Sequence, residues 1–178
     1  CHTLFGAMAQ AMPEKVPAAW GGGEVGISFG GYDQNRKAWV YLEFDNDGPR
    51  GGGPHIDGAD GLSSPVLNMA NTPIESIESE QPLLIERFGL YPDTSGAGKF
   101  RGGLSLIRDF RILAEEATFQ LRTDRTDFLP WGVQGGKPGT PTRNYLNLAT
   151  DQPVDPANLD VKVETLFLTV DQMPAMFR

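Results

Sequence analysis

Glycine and proline are spaced so closely along this chain that they cut it into short pieces, and no other feature limits its architecture as much. Both residues break helices and build turns. Three segments are dominated by them: DNDGPRGGGPHIDGADGLSSP at 45–65, PDTSGAGKFRGG at 92–103 and PWGVQGGKPGTPTR at 130–143. Loops of the first kind, long and without regular structure, are functional or disordered. The stretches between them carry strand and short-helix patterns. The expectation is one β-rich α+β module over 1–178, with mixed or antiparallel sheets, short helices and long Gly/Pro loops.

The pieces read as follows. Leu4, Phe5, Met8, Ala11 and Met12 recur at helical spacing, with Pro13 as the stop, and their stripe is expected to fill core. Gly21, Gly22 and Gly23 form a hinge or a close backbone approach. Val25–Phe29 and Ala38–Phe44 are predicted to make a hairpin, turning at Gly30–Asp33. Trp39, Tyr41 and Glu43 share one face of its second strand. Pro73–Glu80 reads as a short helix, capped by Asn71 or Thr72 and opened by Pro73. Leu83–Leu90 is a strand. Leu104–Leu113 and Ala117–Thr123, joined at Glu115 and Glu116, form the clearest hairpin pattern. On Leu104–Leu113, Leu104, Leu106, Phe110 and Ile112 share a face. Tyr145–Leu148 and Val161–Val170 are further strands.

Charge excludes one class of function. The net charge is −8. Nucleic-acid binding needs a basic face, and the densest basic group here, Arg101, Arg108 and Arg111, is interrupted by apolar residues and Asp109. No apolar run is long enough to span a bilayer. Cys1 is the single cysteine, so no internal disulfide forms, which fits a reducing, cytoplasmic compartment. A chain opening on Cys and passing at once into a helical pattern is expected to be a fragment or a processed product. The alternative is a reactive N-terminal thiol with His2 as its base.

Nucleotide motifs fail at particular residues. GAGKFRGG places its third glycine one position late for a dinucleotide fingerprint, and no strand–turn–helix unit frames it. In GVQGGKPGT, Trp131 stands where a phosphate loop needs glycine, and Pro138 where it needs Ser or Thr. With His2 and His55 as the only histidines, a histidine-rich metal site cannot form within the chain. His55, Asp57 and Asp60 make the tightest polar group. They suit an oxygen-rich metal site or acid–base work, or else turn formation with His55 at the surface. Glu43, among aromatic residues, calls for an arginine partner if buried, with Arg101 and Arg125 as candidates. Asp124 and Arg125 could form a strand-end ion pair.

Taken in order, FGAMAQAMPEKVPA, the FGG of 29–31, VYLEF, the loop ending in DGADG, NTPIESIE, LLIERFGLYPDTSGAGKFRGGLSLIRDFRIL and RTDR…PWGVQGGKPGTPTRN resemble the C-terminal part of the hydantoinase B/oxoprolinase family. That family also includes a subunit of ATP-dependent acetone and acetophenone carboxylases. The resemblance implies a piece of a larger, cytoplasmic subunit that opens cyclic amides such as hydantoins or oxoproline. Its alternatives are ketone carboxylation and a non-catalytic scaffold. It implies a hydantoinase A-like partner binding ATP and Mg²⁺, the rest of the B-like subunit carrying the divalent metal, and in the carboxylase case a small third subunit. This chain would bind no cofactor itself and would be inactive alone. The family's metal-binding segment lies in its N-terminal half, so no metal ligand carries over. Candidate site residues are His55, Asp57, Asp60, Arg101, Asp124 and Arg125. Two departures from the family pattern stand out: Phe44, Asp45, Asn46 and Asp47 replace a Gly-rich turn, and the tail ends in QMPAMFR.

Overall fold

The computed structural model describes residues 1–22, 25–44, 48–62, 70–146, 152–153 and 167–171. Asp45–Asp47, Gly23, the QMPAMFR ending and parts of the last two predicted strands lie outside these residues.

Among the described residues, two short helices and eight strands occur: α1 (His2–Ala11), β1 (Gly26–Tyr32), β2 (Ala38–Phe44), α2 (Ile74–Glu80), β3 (Leu83–Tyr91), β4 (Ser105–Ile112), β5 (Ala117–Arg122), β6 (Arg143–Leu146), β7 (Gln152–Pro153) and β8 (Phe167–Asp171). They form one sheet in the order β2-β1-β5 and another in the order β3-β4-β8-β6-β7, with every pair antiparallel. The β-rich α+β class is as expected.

The β1–β2 hairpin forms, but β1 runs through Gly30–Tyr32 and the turn falls later. Asp33 sets it: its Oδ1 accepts the N–H groups of Asn35 at 2.9 Å and Lys37 at 2.8 Å, an Asx-type turn. Each strand of this sheet alternates. Ile27, Phe29, Trp39, Tyr41, Phe119 and Leu121 are buried, whereas Val40 and Leu42 face outward. Their inner faces meet Leu83, Ile85, Phe110 and Ile112 of the second sheet and Ile77 of α2 in one apolar cluster. Phe29 is central, with ring centroids 5.3 Å from Phe110 and 4.9 Å from Phe119.

The predicted β4–β5 hairpin does not form. β4 pairs with β3 and β8, while β5 pairs with β1. The turn at 113–116 carries the chain from one sheet to the other. Burial explains the choice, because Phe110 on β4 and Phe119 on β5 then close on Phe29 from both layers.

Two further expectations need correcting. Helix α1 has no buried residue, so its stripe is not core. Instead Phe5 packs on Trp20 at 5.3 Å, and Ala9 joins a small second cluster with Ala18, Ala19, Val133, Phe100 and Trp131. Helix α2 takes no side-chain cap from Asn71 or Thr72, and Pro73 is its N-cap, at φ −54° and ψ 136°.

Glu43 is buried, as its neighbours suggested, but its partner is neither Arg101 nor Arg125. Arg108 Nη1 lies 2.5 Å from Glu43 Oε2, with both side chains buried. Tyr41 donates its hydroxyl to the same oxygen, and burial followed by Glu43 pushes that hydroxyl well above its ordinary value. The Thr72 N–H reaches Oε1 at 3.4 Å. Arg108 also lies over Phe88, at 4.6 Å to the ring.

Candidate functional site

The glycine-rich segments are not loose connectors. Backbone bonds join them to one another and to residues 18–19: Ala18 N–H to Gly52 O at 2.8 Å, Ala19 N–H to Trp131 O at 3.0 Å, Gly58 N–H to Arg101 O at 2.7 Å, Gly103 N–H to Arg50 O at 2.9 Å, and Lys137 N–H to Ala97 O at 3.0 Å. The approach is so close that Gly51, Gly58, Gly96 and Gly103 are obligatory. A Cβ on Gly58 would sit 2.0 Å from Arg50 O, and one on Gly103 would sit 2.0 Å from Ala59 O.

Side chains lock the same junction. Asp57 Oδ1 accepts the Arg101 N–H at 2.9 Å. Asp60 accepts Arg101 Nη1 at 2.8 Å and Nη2 at 3.3 Å, and the Leu104 N–H at 2.7 Å. These bonds, led by that from Arg101, hold the Asp60 carboxyl below its usual range and raise Arg101 in turn. Both aspartates therefore fasten 48–62 to 100–104. His55 sits exposed in a turn closed by Gly53 N–H to Ile56 O at 2.8 Å. The structure brings together Asp57, Asp60 and Arg101 of the six candidates. Among the described residues no group of three His, Cys, Asp or Glu side chains has metal-binding geometry.

Asp124 and Arg125 belong to a second constellation, after the end of β5. Arg125 has φ of +65°, a costly left-handed conformation for a non-glycine residue. Gly22, at φ +137°, fits against it: a Cβ there would lie 3.0 Å from Arg125 Cγ and 3.0 Å from Asp124 Cβ. The Thr142 N–H donates to Arg125 O at 3.0 Å. His2 stands edge-on to Trp20 at 5.8 Å, and the Arg50 guanidinium lies over the same indole at 5.7 Å. Burial, then Arg125, hold His2 below its ordinary value, with Asp124 opposing. Burial likewise lowers Arg125, with Asp124 opposing. Trp20 and Arg50 do not stand out in the sequence. Their only signal is an aromatic residue beside the 21–23 glycines and an arginine opening the Gly-rich loop.

The two glycine-lysine segments meet at a cleft of about 360 Å³ lined by Ala97, Gly98, Lys99, Gly135 and Lys137. The turn at Val133–Gly136, with Gln134 at φ +51° and Gly135 at φ +84°, forms one wall. Each segment leads into a strand, β4 or β6, and not into the helix that follows a phosphate loop.

Comparison with known proteins gives a consistent result. The family described as Hydantoinase B/oxoprolinase matches residues 1–171. The chain is 37% identical over 137 residues to the B-type subunit of a putative D-/L-hydantoinase of Pseudomonas sp. (strain NS671), covering 77% of this chain and 22% of that protein. It is 33% identical over 102 residues to the beta chain of the caprolactamase of Pseudomonas jessenii, covering 54% of this chain and 17% of that protein. Among solved structures, nucleotide-free acetone carboxylase aligns with a TM-score of 0.65 at 16% identity, covering 96% of this chain and 27% of that one. The ATP-dependent caprolactamase from Pseudomonas jessenii aligns with a TM-score of 0.64 at 21% identity, covering 96% and 31%. At those identities the structural likeness shows the fold. The chain spans 22% and 24% of the length of the first two relatives matched.

Proposed function

Because the chain belongs to the hydantoinase B/oxoprolinase family, we propose that it is the C-terminal part of a B-type subunit in an ATP-dependent enzyme that hydrolyses cyclic amides. The observation that carries this reading is the 37% identity to the B-type subunit of a hydantoinase. The beta chain of caprolactamase supports it from a second ring system. The likeness to acetone carboxylase is one of fold at 16% identity and leaves ketone carboxylation as the competitor to test.

In this reading ATP and Mg²⁺ sit on an A-type partner, and phosphorylation of the amide oxygen there makes the ring carbon open to attack. The divalent metal belongs to another part of the B-type subunit. This chain supplies a wall of the substrate channel and a contact surface for the assembly. Asp57 and Asp60 hold Arg101 and Leu104 in place, so the fastened loops keep their shape without a ligand. Such preorganisation is what a channel wall needs.

The test is ATP-dependent turnover by the assembled enzyme. With its partner and the rest of its subunit, ring opening of hydantoin, 5-oxoproline or caprolactam is expected, without incorporation of labelled bicarbonate. The chain alone is expected to turn over nothing. Bicarbonate incorporation into a ketone would replace this reading with the carboxylase, and turnover by the chain alone would overturn it.

A further inference from the structure

We propose that Arg125, Trp20, His2 and Arg50 form a subsite for a small organic carboxylate, and that the ring-opened product is the acid it holds. The identity of that acid rests on the function proposed above; the subsite itself does not.

Donors without acceptors mark the place. Trp20 is 3% exposed, and its indole Nε1–H is buried with no hydrogen-bond partner. A buried donor left unpaired is costly, so such groups mark places where a partner binds. Arg125 is half-buried, and among the described residues no carboxylate lies within ion-pair distance of it. A half-buried guanidinium whose burial is offset only through space by its chain neighbour Asp124 keeps part of the same deficit. Arg50 brings a second guanidinium to the Trp20 ring. His2, packed against that ring, adds an imidazole that can donate or accept.

The backbone holds this arrangement at a cost. Arg125 keeps φ +65° although glycine or asparagine would sit there more easily. Strain of this kind persists where surrounding structure over-determines it, and it concentrates at ligand sites. Here Gly22 and the Thr142 N–H fix the residue.

Planar N–H donors of a guanidinium and an indole suit a planar, singly charged acceptor with two oxygens. Hydrolysis of an amide bond creates such a group: water adds to the carbonyl carbon, the C–N bond breaks, nitrogen leaves as the amine or ureido group, and the carbon becomes a carboxylate. A cyclic amide before opening carries no such charge at that carbon. For an uncharged ring such as hydantoin or caprolactam the subsite therefore distinguishes product from substrate.

The experiment follows the Trp20 indole Nε1–H NMR resonance in the full chain, identified by its loss in Trp20→Phe. N-carbamoylglycine, the open form of hydantoin, is titrated against hydantoin itself, acetate and inorganic phosphate. A saturating downfield shift with N-carbamoylglycine is expected, a weaker one with acetate and none with hydantoin. Arg125→Asn, which suits the left-handed backbone, is expected to weaken binding about tenfold or more. Arg50→Gln is expected to weaken it less, and keeps the test readable if the first variant does not fold. A silent Trp20 resonance, an equal response to hydantoin, tighter binding of phosphate, or unchanged affinity in a folded variant overturns the proposal. The readout needs neither ATP nor partner. Binding without ring opening by the assembled enzyme sinks the proposed function and leaves the subsite. Ring opening with a silent Trp20 does the reverse.

Discussion

Glu43 on β2 and Arg108 on β4 form an ion pair, 2.5 Å apart, that joins the two sheets through the middle of the core. Removing one member leaves the other charged and dry. Glu43→Ala is expected to cost about 3–5 kcal/mol in urea denaturation. Replacing both residues, as Glu43→Leu with Arg108→Met, is expected to recover most of that loss, since a well-packed apolar pair is often no worse than a buried ionic one. A double replacement as unstable as the single one would show that the charges themselves hold the sheets together.

Gly58 and Gly103, both packed against carbonyl oxygens, set up a contrast within one residue type. Gly103→Ala or Gly58→Ala forces backbone apart, because the new carbon would lie 2.0 Å from an oxygen. A loss of about 3 kcal/mol or more is expected in thermal unfolding. Gly89→Ala, on β3 with nothing within 4 Å of its added carbon, is expected to stay within about 0.5 kcal/mol.

Asp60 predicts an acid-limb signature. Its carboxyl is depressed in the folded state, chiefly by Arg101. Its contribution is therefore present above the unfolded-state carboxylate range and disappears as pH falls through the lower folded value. Asp60→Asn is expected to flatten part of the stability loss below about pH 4. With both partners partly exposed, the effect at neutral pH is expected to be about 1 kcal/mol or less. Denaturation midpoints measured from pH 2 to 7 check the sign.

Arg36 closes the β1–β2 turn at φ +59° and is exposed. Arg36→Gly is expected to stabilise the chain by up to about 1 kcal/mol by relieving the left-handed penalty. A lower melting temperature in that variant would mean that the side chain makes a contribution that outweighs its backbone.

Much of the fold was legible because period-two alternation is local. Ile27 and Phe29, or Trp39, Tyr41 and Glu43, announce their shared face from spacing alone. Which strand pairs with which is not local, and there the pattern misled. The four residues after Ile112 look like a hairpin turn, yet the chain changes sheets there because both flanking strands need the same aromatic centre. The partner of Glu43 was readable in principle. Arg108 shares parity with Leu104, Leu106, Phe110 and Ile112, so an arginine was already standing at a core position. At the candidate site, Asp57 and Asp60 drew notice as polar residues in a glycine loop. Their true role depends on Arg101, more than forty positions away, and no spacing rule reveals that. Trp20 and Arg50 were invisible for the same reason: a long-range contact gives each its meaning.

The change of sheets after β4 also bears on how the chain folds. Phe29 of β1 pairs with Phe119 of β5, so the third strand of that sheet must wait for the whole intervening polypeptide. Closing so long a loop costs entropy before any contact repays it. During synthesis the β1–β2 hairpin emerges before β5, with an unclaimed edge and an open aromatic face. It stays in that sticky condition until residues beyond 122 leave the ribosome, an interval in which chaperone protection matters.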